Sequence, residues 1–147
     1  MKPEYLLHLF YYFAIIHRYN KLLTLFKSHS MKKKIGILGS TGSIGENTLN
    51  VVREFDQKFE VVFLTANSNV EKIYRQIIEF EPQFAVLKDS GNSALLKEQL
   101  GDDSNCTILT GSDSISQITK NADYDILISS MVGFAGLSPT IEGIKRG

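Results

Sequence analysis

The sequence predicts an α/β protein built on a doubly wound parallel sheet, and three observations carry that expectation. From residue 34 onward, short β-branched apolar runs alternate with longer runs of helical spacing, the pattern of βαβ units. Turn and breaker residues fall between these runs rather than inside them. The first run passes directly into Gly39, Gly42 and Gly45, three glycines at three-residue spacing within IGILGSTGSIG (35–45).

Taken in order, a first strand is expected at 34–38. The helix after it, 44–55, places Ile44, Leu49, Val52 and Phe55 near one face. A second strand, EVVFLTA at 60–66, leads to a helix over 70–80, with Val70, Ile73, Ile77 and Phe80 on one side and Pro82 beyond its end. The third strand, 84–87, is separated by Gly91-Asn92 from a shorter helix at 93–100, which Gly101-Asp102-Asp103 closes. A fourth strand at 107–109, the turn Gly111-Ser112 and a helix at 113–120 follow, and then a fifth strand at 126–129. The segment MVGFAGLSPT (131–140) comes after the last strand and so belongs at the carboxyl edge of the sheet.

The 147 residues are enough for one domain with a substantial core, and 43% hydrophobic with 22% charged residues is ordinary for a globular chain. Sixteen basic residues balance sixteen acidic ones, so no nucleic-acid partner and no anionic membrane surface is expected. Cys106 stands alone, which fits a reducing, cytoplasmic setting and a filler thiol. Residues 1–30 differ from the rest: aromatic- and leucine-rich, with Lys2, Arg18, Lys21 and Lys27 against Glu4. Their apolar stretch is broken by His8 and too short for the ~20 residues of a membrane helix. Met31-Lys32-Lys33-Lys34 reads as the native start of a domain over 31–147, with 1–30 a leader or misassigned upstream extension. The alternative of a membrane or targeting segment rests on Phe10-Tyr11-Tyr12-Phe13.

Each glycine costs folding entropy that Ala would not, so the loop must do something a Cβ would prevent. At the carboxyl end of a first strand, a helix start presents free N–H groups and a positive dipole end, a seat for a pyrophosphate. In that setting Gly39 permits the turn, Gly42 lets amides approach phosphate oxygens, and Gly45 lets the helix lie close. Ser40, Thr41 and Ser43 add hydroxyl donors. The expected fold is therefore Rossmann-like, with a dinucleotide as ligand. A Walker-type loop is disfavoured, because Glu46-Asn47 stands where Lys-Ser or Lys-Thr would be needed. The second strand ends in Asn67-Ser68-Asn69 without a carboxylate. A 2′-phosphate would meet no repulsion there, which favours NADP(H) over NAD, although the same residues could simply cap the next helix.

GSTGSIG (39–45) with Asn47-Thr48-Leu49 and Val51-Val52-Arg53, then TANSNV (65–70), then MVGFAGLSPT (131–140), resembles the amino-terminal domain of the 1-deoxy-D-xylulose 5-phosphate reductoisomerase family. The resemblance runs from Lys34 to Gly147. It implies NADPH-dependent isomerisation and reduction of 1-deoxy-D-xylulose 5-phosphate to 2-C-methyl-D-erythritol 4-phosphate, a step of non-mevalonate isoprenoid synthesis, with Mg or Mn as Lewis acid and a homodimer when full-length. Thr41, Gly42, Ser43 and Ile44 would hold the pyrophosphate, and Asn67, Ser68 and Asn69 the 2′-phosphoadenosine side. Family members often carry a basic residue at the Ser68 position. Its absence here forgoes a charge-assisted hydrogen bond worth about 1.5–3 kcal/mol. The resemblance also places Val132–Thr140 at the nicotinamide end, with Gly133 and Gly136 letting the backbone pass close.

The family's metal and substrate groups come after this segment, beginning with an Asn-Lys-Glu strand end past a Gly-Lys pair, and the sequence given ends at Gly147 where that pair begins. No catalytic residue and no metal ligand is therefore expected in this chain, which would be inactive alone. His8, His17 and His29 fall in the leader, and Asp102, Asp103, Asp113, Asp123 and Asp125 read as solvated turn and capping residues. Two alternatives stay open: a free-standing NADP(H)-binding or sensing module, and another NADP-dependent oxidoreductase. An epimerase is disfavoured because no Tyr has a Lys four residues on.

Overall fold

A computed structural model describes residues 31–101 and 104–147. The leader reading of 1–30 and the acids Asp102 and Asp103 lie outside the described residues. Five strands, β1 (Lys33–Leu38), β2 (Phe59–Ala66), β3 (Phe84–Leu87), β4 (Thr107–Thr110) and β5 (Ile126–Ser129), form one sheet in the order β4-β3-β2-β1-β5. Every pairing is parallel. Five helices accompany them: α1 (Ser43–Glu54), α2 (Val70–Phe80), α3 (Ser93–Leu100), α4 (Ser112–Asn121) and α5 (Leu137–Arg146). The expected α/β architecture is therefore observed, with boundaries within a residue of expectation for the strands and the first four helices.

The strand order fixes where the helices lie. The chain steps outward from β1 to β4 and then returns to place β5 on the other side of β1. Right-handed crossovers then put α1, α2 and α3 on one face and α4 on the other. The core obeys this. Leu49 and Val52 of α1 pack on Ile35, Ile37, Val61 and Leu64, while Ile73, Ile77 and Leu96 of α2 and α3 cover Ala66, Ala85 and Leu87. On the opposite face Ile115, Ile118 and Ala122, from α4 and its end, cover Leu38, Val62, Phe63 and Val86. Because the sheet is buried on both faces, its inner strands read as continuous apolar runs. The β1–β2 register shifts between Ile35 and Gly36. Phe63 lies over Gly36 so closely that a Cβ there would sit 2.2 Å from its ring, and Tyr124 meets the same ring edge-on at 5.4 Å.

One expectation, the inward face of α1, is corrected here. The α1 face that packs inward is Gly45, Leu49 and Val52. Ile44 is 59% and Phe55 40% exposed, because Gly45 rather than Ile44 is turned onto the sheet. The stretch 137–146, to which the sequence reading assigns no element, is a helix. Its apolar residues Leu137, Ile141 and Ile144 recur at helical spacing but face outward rather than onto the sheet, and Pro139 sits in the first turn, where no N–H is needed. Its contact with the sheet side is made by a glycine: a Cβ on Gly143 would be 2.3 Å from Leu127 Cδ2.

The amino ends of β1 and β5 are joined by polar groups. Lys34 N–H donates to Asp125 Oδ2 (2.8 Å), Lys33 Nζ lies 3.2 Å from Asp125 Oδ1, and Lys34 Nζ lies 2.6 Å from Asp123 Oδ2. Asp123 and Asp125 thus clasp the strand ends rather than only capping a turn. Among the described residues no helix is long and apolar enough to cross a membrane.

Candidate functional site

The sheet order makes β1 and β5 the pair at which the chain changes direction, and an open α/β sheet has its crevice at the carboxyl ends of such strands. A cleft of about 340 Å³ lies there, lined by Gly39, Thr41 and Gly42 after β1, Thr65, Ala66 and Asn67 at the end of β2, Lys88 after β3, Ile115 of α4, and Ser130, Met131, Val132 and Ala135 after β5.

The loop after β1 is gripped from three sides. From β2, Thr65 accepts from Gly39 N–H at its hydroxyl (2.9 Å) and from Ser40 N–H at its carbonyl (2.8 Å). From α2, the Gln76 side chain accepts the Ser40 hydroxyl (2.7 Å) and returns its own amide to the Ser40 carbonyl (3.0 Å). From β5, the Ser130 hydroxyl lies 3.0 Å from the Gly39 carbonyl, and Ser130 N–H donates to Leu38 O (2.9 Å). Ser40 is fully buried in this arrangement. Its hydroxyl is therefore not a donor to an anion in the cleft, contrary to the sequence expectation: helix α2 brings a buried glutamine that captures it.

The three glycines have different structural reasons. Gly39 takes φ +79°, and a Cβ there would also crowd the Ser130 carbonyl and Met131 at 3.1–3.2 Å. Gly45 is demanded by packing, since its Cβ would lie 2.5 Å from the Gly39 carbonyl oxygen and from Ser40 Cα. Gly42 answers to neither need. It is extended (φ −84°, ψ 168°), and its Cβ would make only an ordinary contact of 3.5 Å. Nothing in the fold itself asks for glycine at 42.

Gly42 is also the N-cap of α1, with no side chain capping the helix. The first intrahelical donor is Glu46 N–H, to Gly42 O (2.8 Å). The amides of Ser43, Ile44 and Gly45 precede it and have no acceptor within the helix. The acid that could compete for them, Glu46, is drawn off by Lys72 of α2 at 2.6 Å. At the start of α2 the opposite holds: Asn69 Oδ1 accepts from Lys72 N–H at 2.9 Å.

Of the sequence-expected residues, Thr41, Gly42 and Asn67 line the cleft together. Ser43 and Ile44 stand exposed at the start of α1, and Ser68 and Asn69 are exposed beside the β2 end, with the Asn69 carbonyl oxygen committed to its cap. Thr65, Lys88 and Ser130 were not singled out from sequence. The one available signal was a lysine at the end of the third strand, VLK (86–88). In the 131–140 segment, Met131, Val132 and Ala135 reach the cleft. Gly133 takes φ +73°, and Gly136 is buried against the Met131 carbonyl, 2.9 Å from where its Cβ would be. Burial pushes the Cys106 thiol up to about 11, which leaves little thiolate at neutral pH. Among the described residues, no three His, Cys, Asp or Glu side chains converge as a metal site.

Residues 35–147 match the family model of 1-deoxy-D-xylulose 5-phosphate reductoisomerase. The reductoisomerase of Thermoanaerobacter pseudethanolicus is 46% identical over 115 residues, 78% of this chain and 29% of that protein. That of Phocaeicola vulgatus is 44% identical over 117 residues, 80% of this chain and 30% of that protein. Among solved structures, the Zymomonas mobilis reductoisomerase in complex with NADPH superposes with TM-score 0.75 at 30% identity, covering 80% of this chain and 31% of that one. A reductoisomerase in complex with NADPH, fosmidomycin and magnesium gives 0.74 at 31% identity, covering 78% of this chain and 28% of that one. Spanning about 30% of the length of the curated relatives it matches, the chain belongs to the 1-deoxy-D-xylulose 5-phosphate reductoisomerase family.

Proposed function

We propose that this chain seats NADPH across the carboxyl edge of its sheet, as the coenzyme-binding part of a reductoisomerase. Gly42 carries the reading. It is a glycine that neither backbone angle nor internal packing requires, so the demand for a missing Cβ comes from a molecule outside the fold. The uncapped amides of Ser43 and Ile44 suit the pyrophosphate as N–H donors at the positive end of a helix, with Thr41 beside them and Gly42, whose own N–H donates to Gly39 O, keeping a side chain out of the way. Asn67, Ser68 and Asn69 suit the 2′-phosphoadenosine side, offering amide and hydroxyl groups and no carboxylate. The Asn69 side-chain amide is left to donate while its carbonyl oxygen caps α2. Met131, Val132 and Ala135 give the other end of the cleft an apolar wall against which a nicotinamide ring can rest.

When bound, NADPH supplies a hydride. What the residues here contribute is position: the grip of Thr65, Gln76 and Ser130 on the loop sets the amides before the coenzyme arrives, so little ordering is left to oppose binding. For the whole protein we propose the family's reaction, conversion of 1-deoxy-D-xylulose 5-phosphate to 2-C-methyl-D-erythritol 4-phosphate. Turnover needs more of the family's length than this chain spans, so the chain alone binds coenzyme without catalysing. Titration of the full 147-residue chain with NADPH and NADH, read by nicotinamide fluorescence, tests the reading. NADPH is expected to bind about tenfold or more tightly; equal affinity, a preference for NADH, or no binding would overturn it.

A further inference from the structure

We infer that Lys88 is the cation that reads the 2′-phosphate of NADPH, a specificity-determining residue that the sequence motifs do not mark; this rests on the coenzyme reading above. Lys88 is the one charged side chain among the described residues lining the cleft. The β2–β3 register, Thr65 opposite Val86 and Ala66 opposite Leu87, carries on past the strand ends. Lys88 N–H donates to Ala66 O (2.9 Å) and Asp89 N–H to Asn67 O (2.8 Å). Asn67 and Lys88 are thus cross-strand neighbours about 4.8 Å apart at the backbone. Strand alternation turns both to the same face, away from Ala66 and Leu87, which pack under α2 and α3.

The charge is available. Among the described residues no carboxylate forms an ion pair with Lys88. The adjacent Asp89 is turned to its own loop, accepting from Gly91 N–H (3.0 Å) and Asn92 Nδ2 (2.9 Å). Asp113 lies with Lys88 around a neighbouring hollow beside α4, without an ion pair. The ligand's need is equally specific. A phosphate monoester carries about −1.5 to −2 charges near neutral pH. The end of β2 offers it only neutral Asn67, Ser68 and Asn69, whereas Lys88, on a flexible four-carbon stem one strand away, supplies the countercharge.

The test uses the full chain with Lys88→Met, which keeps the stem and removes the charge, and Lys88→Arg, which keeps the charge. Dissociation constants are measured for NADPH and NADH and, as headgroup probes, 2′-AMP and 5′-AMP, with unliganded melting as a control for folding. Lys88→Met is expected to weaken NADPH and 2′-AMP about 10- to 100-fold and to leave NADH and 5′-AMP within about twofold. Lys88→Arg should stay within a few-fold of wild type for all four. Equal weakening of NADPH and NADH, which would put the lysine on the pyrophosphate or in the fold, overturns the inference, as does an unchanged NADPH affinity. If wild type itself binds neither coenzyme, the coenzyme reading fails; if Lys88→Met retains the NADPH preference, the lysine assignment alone fails.

Discussion

Helices α1 and α2 both leave the carboxyl edge of the sheet beside the cleft, yet they begin in opposite ways. At α2 an asparagine caps the first turn in the ordinary manner, Asn69 Oδ1 to Lys72 N–H. At α1 the cap position is held by Gly42 with no side-chain bond, even though Ser and Thr stand on either side of it. A capping side chain gains only roughly a few tenths of a kcal/mol over glycine at this position, so leaving α1 uncapped forgoes a little local stability. The pairing of Glu46 with Lys72 keeps the one nearby carboxylate off the same amides. One helix start is closed by its own chain and the other is left open, and the open one is where we propose that the pyrophosphate sits.

The comparison can be broken or sharpened by substitution. The largest effect is expected at Gly45, where a methyl would lie 2.5 Å from loop backbone. Gly45→Ala should cost about 3 kcal/mol in urea unfolding, by pushing α1 off the loop that Thr65 and Gln76 hold. Gly42→Ala should separate the two roles. Unfolding stability should stay within about 1 kcal/mol, while the NADPH dissociation constant should rise at least about tenfold. A stability loss at 42 comparable to that at 45 would mean that the middle glycine serves the fold after all.

The closed helix start is probed at Asn69. Asn69→Ala should lose about 1 kcal/mol of stability with its cap. Asn69→Asp keeps the cap oxygen and should hold stability while weakening NADPH relative to NADH, because it adds a negative charge beside the 2′-phosphate. The smallest effect is expected at the far end of the sheet. The Lys34 backbone N–H, and after it the Lys33 ammonium, hold the Asp125 carboxyl below the usual carboxylate range. A group depressed in the folded state contributes stability above its unfolded pKa and loses it as pH falls through the folded value. The stability difference between wild type and Asp125→Asn should therefore be full at pH 6 and close below about pH 4, with NADPH affinity at pH 7 unchanged.

The elements most legible in the sequence were those whose side chains make their own case. The alternation of Ile35 and Ile37 across β1, the face Ile73 and Ile77 on α2, and the breakers Pro82 and Gly101 are all local signals, and the structure places them as read. In helix α5 the apolar residues Leu137, Ile141 and Ile144 do recur at helical spacing, but the sequence hides which face packs: Gly143 meets Leu127 while the large apolar residues face outward. At the site, GSTGSIG marked the loop. Ser40 was misjudged because the partner that buries its hydroxyl, Gln76, is 36 residues away.

By itself the sequence determined that strand, glycine turn and helix follow one another at 33–54, since backbone freedom and apolar spacing are properties of neighbours along the chain. It also determined that no carboxylate stands at 67–69. Only the tertiary structure decided which of the three glycines is free of internal demand, and which distant side chains grip the loop. It alone brought Lys88 beside Asn67, because these depend on strand order and register, and a parallel sheet pairs residues that no local pattern connects.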